Sequence, residues 1–286
     1  MGDYKTILYE PGPVTRIIHN EPEKNNMMGA QFQEEFLDAV RDFERNREAK
    51  VAVSLARGKH FAAGHDISTL GKKQTWEKGQ SNQWSEARWR AVCDPRKWVY
   101  QVWDITKPLV VGAQGAALAA GAQFVMLHDI IVMGENSFLG FEIMRVSGAG
   151  GADLQLWLGY HKAFELACTG WNAGARELHR LGAINKVVPD EEIEAQAMRY
   201  AEIMALMPLE TLKLIKASFK FGMNRMGARD QLWHSEETNI LQHCVGEEQE
   251  KEFYRIMKEQ GLKAALEFRD WPFEKYGYNR HKATEI

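Results

Sequence analysis

The strongest constraint on the fold is the stretch 107–151, where apolar strand-like runs are broken by turns built almost wholly of glycine and alanine. A short apolar run at 109–111 enters a small-residue turn at 112–115, and the spacing predicts a helix from about 116 to 127. Backbone in such a turn is little shielded by side chains and can approach a ligand closely. A helix opening also carries unpaired N–H groups and roughly half a positive charge, which suits an oxygen that is becoming negative. A second loop of the same character, Gly58-Lys59-His60-Phe61-Ala62-Ala63-Gly64-His65-Asp66-Ile67, follows another apolar run at 51–56. Two backbone amides from such loops, facing one point, make an oxyanion hole.

Together, FAAGHDIS and, some way on, GAALAAGAQFVMLHDII resemble the crotonase superfamily, the enoyl-CoA hydratases and isomerases, whose loops read FxAGxD and GxxxGGGxE before a DI strand. The likeness runs from the segment Asn20-Glu21-Pro22-Glu23-Lys24-Asn25 to about Phe273. It implies an α/β fold: a crotonase-like spiral of repeated ββα units over residues 1–200, then a helical region over 201–286 that covers the active site and makes oligomer contacts. It also implies a homotrimer, or a hexamer built as a dimer of trimers. The ligand would be an acyl-CoA thioester; no separate cofactor is expected, because CoA enters as part of the substrate.

Composition narrows the alternatives. With 286 residues and 45% apolar content the chain can bury a large core. A formal charge of −3 without a long basic run argues against nucleic acid and anionic membrane as partners. Cys93, Cys168 and Cys244 are odd in number and far apart, which suits reduced thiols and a cytoplasmic location. No run approaches a membrane span, and MGDYKTILYE lacks the pattern of a secretory leader.

Strands are expected at 4–9, 14–18, 51–56, 129–133 and 183–189, and helices at 31–45, 163–169, 173–181, 211–221 and 247–259. Between 68 and 104 the chain departs from the simplest layout of the family. It carries Trp76, Trp84, Trp89, Trp98 and Trp103, and the apolar seam Trp84, Val92, Val99, Trp103 reads first as core. In the family this region borders the acyl chain, so aromatic faces there would suit a bulky or cyclic acyl group.

The chemistry departs from the family pattern. A hydratase of this family uses two glutamates, one to activate water and one to handle the proton at the α-carbon. The first aligned position here is Gln123, whose amide holds water but exchanges no proton at neutral pH. The second is best matched by Glu142, across a one-residue gap and without the family's proline, and the following loop is shortened. Glu142 is the first candidate for general acid or base. Asp153, after Gly148-Ala149-Gly150-Gly151, is the second; it also reads as a helix first-turn acid favoured by the dipole. The resemblance assigns the oxyanion amides to His65 and Ala120, with the His65 backbone rather than its ring taking part. It assigns CoA contacts to Lys24, Ala63, Asp66 and Ile67.

No metal-binding spacing, nucleophile elbow or dinucleotide fingerprint is present. The expected function is stabilisation of a thioester enolate, in a hydratase or isomerase. The alternatives are C–C cleavage of retro-Claisen or hydratase-lyase type, and a non-catalytic CoA- or RNA-binding homologue.

Overall fold

The structure, a computed structural model, describes residues 4–66, 98–146, 148, 150–245 and 247–283. Ile67, Trp76, Trp84, Trp89 and Val92 lie outside the described residues.

Strands β1 (Ile7–Glu10) and β2 (Val14–His19) form an antiparallel hairpin around Pro11-Gly12-Pro13, where two prolines flank a glycine and end both strands. From β2 the sheet continues in parallel through β3 (Val51–Ala56), β4 (Leu109–Ala113), β6 (Ile130–Gly134) and β9 (Lys186–Val188). Parallel strands joined by crossovers are covered on both faces, which is why the central strands read as unbroken apolar runs. On one face Ile17, Ala52, Val111 and Ile131 join a core that holds Phe32, Phe36 and Phe43 of helix α1 (Ala30–Arg45) and Val99 of helix α2 (Trp98–Trp103). Each of these phenylalanines contributes about 2–3 kcal/mol of burial. On the other face Ile18, Val53, Val110 and Val132 pack under Ala197 and Ala201 of the helix Ile193–Ala205.

A second, smaller sheet holds β5 (Ala116–Leu118), β7 (Phe138–Gly140) and β8 (Asn172–Gly174). It corrects two expectations. The small-residue segment at 116–118 is a strand, and the helix begins only at Ala120 (α3, Ala120–Met126). Likewise, strand β8 takes residues 172–174 and the next helix is Ala175–Arg180. In both places ladder pairing outweighs alanine's local helix preference: Ala117 pairs with Leu139, and Leu139 with Ala173.

The C-terminal helices, Leu209–Arg225, Ala228–Val245, Glu248–Gln260 and Leu262–Glu274, pack back on this body. One anchor is Lys216, whose buried ammonium donates to Asp129 Oδ2 (2.6 Å) and to the Lys107 carbonyl (2.9 Å) at the entry to β4. No described helix is long and apolar enough to cross a membrane.

Candidate active site

The two glycine- and alanine-rich loops meet backbone to backbone. Ala62 bridges Ala117, the Phe61 N–H donates to the Ala116 carbonyl (3.1 Å), and the Leu118 N–H donates to the Ala62 carbonyl (2.9 Å). Gly64 has φ +85°, and a β-carbon there would stand 2.8 Å from the Leu118 carbonyl oxygen, so the approach needs glycine. Asn26, fully buried, ties down the first loop from beneath: its Nδ2 donates to the carbonyls of Arg57 (2.7 Å) and His60 (2.8 Å). The Met28 N–H donates to the Gly64 carbonyl (2.8 Å) in a parallel bridge with His65, an arrangement that turns the His65 N–H away from Met28.

On the second loop, Ala119 is held at φ 49° and ψ −113°, a conformation disfavoured for any residue with a β-carbon. Its N–H donates to the Gly140 carbonyl at 2.8 Å, which anchors the turn to the small sheet. Ala120 follows as the first residue of α3. Among the described residues no carbonyl accepts from its N–H, as expected for a helix opening. Strain of about 1–3 kcal/mol held immediately before such a donor is the kind of outlier that clusters at functional sites.

Gln123 lies one helical turn beyond Ala120, on the same side of α3. Its Nε2 donates to Asp153 Oδ2 at 3.1 Å. Asp153 is 1% exposed, and its Oδ1 accepts from Ser235 Oγ at 2.9 Å. Burial pushes its pKa up, while the Ser235 and Gln123 bonds pull in the opposite direction. Asp153 is thus joined through Gln123 to the helix that opens with Ala120.

Glu142 is also buried but has different neighbours. It opens the short turn Glu142–Arg145, and its Oε1 is 3.9 Å from Arg269 Nη2 on the helix Leu262–Glu274. Arg269 and Arg145 both bond Asp270, and Arg145 also lies over the rings of Tyr278 (3.7 Å) and Phe273 (4.0 Å). Among the described residues, Glu142 Oε2 and Asn172 Oδ1 have no hydrogen-bond partner. They lie 2.6 and 2.8 Å from the place where a β-carbon on Gly140 would stand. Asn172 Nδ2 donates to the carbonyls of Asn279 and Lys282, which fixes the way its amide points. Burial raises the pKa of Glu142, with Arg269 and Arg145 opposing.

Of the expected CoA contacts, Lys24 is exposed and paired with Glu21 (2.5 Å). The Ala63 N–H is taken by the Asn25 carbonyl (3.0 Å), and Asp66 follows the loop at an intermediate depth. Trp98, Val99 and Trp103 are buried in the main core, as the apolar seam suggests. Trp98 meets the His65 ring edge-on at 6.4 Å, and Trp103 meets Trp157 edge-on at 6.4 Å.

A model of the family described as enoyl-CoA hydratase/isomerase matches residues 10–275. The chain belongs to the enoyl-CoA hydratase/isomerase family. It is 30% identical over 209 residues to a Dictyostelium discoideum protein named as a probable mitochondrial enoyl-CoA hydratase, covering 72% of this chain and 71% of that one. It is 28% identical over 202 residues to the peroxisomal Delta(3,5)-Delta(2,4)-dienoyl-CoA isomerase of Arabidopsis thaliana, covering 65% and 71%. Its fold is that of an enoyl-CoA hydratase/isomerase from Xanthobacter autotrophicus Py2, with a TM-score of 0.86 at 23% identity over 94% of this chain and 99% of the other. This enoyl-CoA hydratase/isomerase family member is therefore an enzyme of the lyase or isomerase type. Three residues around its site have no signal in the motifs. Asn26 and Asn172 act through main-chain carbonyls far away in sequence, and Ser235 comes from the C-terminal helices.

Proposed function

We propose that this enzyme moves a double bond along the acyl chain of a CoA thioester, with Asp153 as its proton carrier. The observation that carries this reading is the Gln123–Asp153 hydrogen bond, which ties a buried carboxylate to the oxyanion helix. The thioester oxygen would be held by the backbone N–H groups of His65 and Ala120. Asp153 then takes a proton from the α-carbon of a β,γ-unsaturated thioester, and the electron pair moves into the thioester as an enolate. Return of the same proton to the γ-carbon leaves the double bond between the α and β carbons. One carboxylate suffices, since every proton removed is given back, and the family's first glutamate position is filled by a non-titrating amide. We keep a bulky or cyclic acyl group as the expected substrate on the tryptophan content of residues 68–104, because flat aromatic faces favour such a chain. Lys24, Asp66 and the Ala63 backbone stay our candidates for CoA contacts.

Hydration is the second reading, favoured by the second buried carboxylate, Glu142, whose Oε2 has no hydrogen-bond partner among the described residues and which would serve the acid step while Asp153 serves as base. A panel of β,γ-enoyl-CoAs, from vinylacetyl-CoA to cyclohexenylacetyl-CoA, separates the two. Conversion to the conjugated thioester, read as a rise in ultraviolet absorbance, is the result expected of the isomerase. Loss of absorbance from crotonyl-CoA, without conversion of any β,γ substrate, would establish hydration instead. Inertness toward all of them would overturn both.

A further inference from the structure

Ser235, Asn239 and Gln242 are spaced four and then three residues apart on the helix Ala228–Val245, so they share one face. That face lies on the shortened loop that leads to Asp153. Gln242 Oε1 accepts from the Gly148 N–H at 2.8 Å, and a β-carbon on Gly148 would stand 3.2 Å from Asn239 Oδ1. Ser235 Oγ accepts from the Gly151 N–H at 3.0 Å and donates to Asp153 Oδ1 at 2.9 Å. A hydroxyl has a single proton. With the Gly151 N–H already on its oxygen, that proton is directed to the carboxylate.

We propose that Ser235 is a positioning residue for the reaction: its hydroxyl, oriented by the Gly151 amide, holds the Asp153 carboxylate turned toward Gln123 and in the form that can accept a proton. The inference rests on the reading of Asp153 as proton carrier and deepens it. A carboxylate buried to this degree without donors takes up a proton and loses its use as a base. Here each oxygen has one donor, Gln123 Nε2 on Oδ2 and Ser235 Oγ on Oδ1. Among the described residues no charged partner does this work. Glu236, next along the same helix, pushes in the opposite direction. His234 pairs with Glu237, while on the helix Tyr160–Thr169 Lys162 pairs with Glu165 and Glu177, and His161 is exposed. The donor on Asp153 Oδ1 therefore depends on a helix of the C-terminal region being docked.

The test uses the full chain, the substrate of the enoyl-CoA panel that is converted fastest, and pH profiles of kcat and kcat/KM for Ser235→Ala, Ser235→Thr and Asp153→Asn. Losing a hydrogen bond to a charged acceptor moves the acidic limb for Ser235→Ala to higher pH by about one unit, which lowers kcat by roughly tenfold on that limb. KM should stay within about twofold, and Ser235→Thr, which keeps the hydroxyl, should restore the limb. An unmoved limb, or a loss of kcat that Thr does not rescue and that follows thermal stability alone, overturns the proposal. If Asp153→Asn is inactive while Ser235→Ala keeps the wild-type profile, this inference fails and the functional reading stands. Full turnover by Asp153→Asn, or an inert panel, overturns both. Should Ser235→Ala not fold, Ser235→Cys, similar in size with a weak donor, is measured the same way, and a wild-type profile again overturns the proposal.

Discussion

Gln123 donates its amide N–H to Asp153 at 3.1 Å, across the gap between the helix that opens with Ala120 and the loop that follows Glu142. The contact sets the amide that stands at the family's first glutamate position beside a different, buried carboxylate. Removing the charge with Asp153→Asn is expected to lower kcat by roughly 10²- to 10⁴-fold with little change in KM, because the loss falls on proton transfer. Steady-state kinetics on the best β,γ-enoyl-CoA checks this, and kcat within a few-fold of wild type would rule out Asp153.

Gln123→Glu would place two carboxylates where one now accepts a hydrogen bond. Like charges at this separation share a proton, so the acidic limb of the rate profile is expected to move to higher pH. A limb at the wild-type position, with the variant folded, would show that the bond between these residues has no part in setting the protonation of the base.

Glu142 tests the second carboxylate through stability. Its folded-state pKa is raised by burial above the unfolded value, so the folded form holds the proton more tightly. The associated stability is fully present below the unfolded pKa, roughly 4.3, and is lost as pH rises through the folded value. Glu142→Gln, which cannot ionise, is expected to flatten that fall in melting temperature on the alkaline side. A melting curve series that keeps the wild-type slope would contradict a raised pKa for Glu142.

Ala119 sits in backbone territory suited to glycine, directly before the proposed oxyanion donor. Ala119→Gly is expected to stabilise the fold by about 1 kcal/mol, the relief of strain exceeding the entropy that glycine adds to the unfolded chain. Equilibrium urea unfolding measures this, and a destabilised variant would refute the strain argument.

Leu214 and Phe221 are 70% and 69% exposed and, seven residues apart, share one face of the helix Leu209–Arg225, an apolar surface of the kind that marks an interaction site. We expect this face to lie between subunits of the trimer or hexamer. Light scattering should give a multiple of 32.7 kDa for the wild type and a smaller mass for Phe221→Glu. A single-chain mass for the wild type would remove the expectation.

The sequence by itself was enough to locate the two glycine- and alanine-rich loops, the strand at 51–56, the helix Ala30–Arg45 and the family, because each rests on local pattern: apolar period, glycine at a turn, motif spacing. It also singled out Gln123, Glu142 and Asp153, since residue identity shows what can exchange a proton. Tertiary structure alone decided how these three are grouped. Asp153 meets Gln123 and Ser235, residues 30 and 82 positions away, whereas Glu142 faces Arg269 on the last helix. The start of the helix at Ala120 was settled in the same way, by the pairing of Ala117 with Ala62 and Leu139. Local propensity differs among residues by less than about 1 kcal/mol, so a ladder or a buried hydrogen bond formed at long range overrules it. Long-range partners of this kind leave no period or motif in a single chain.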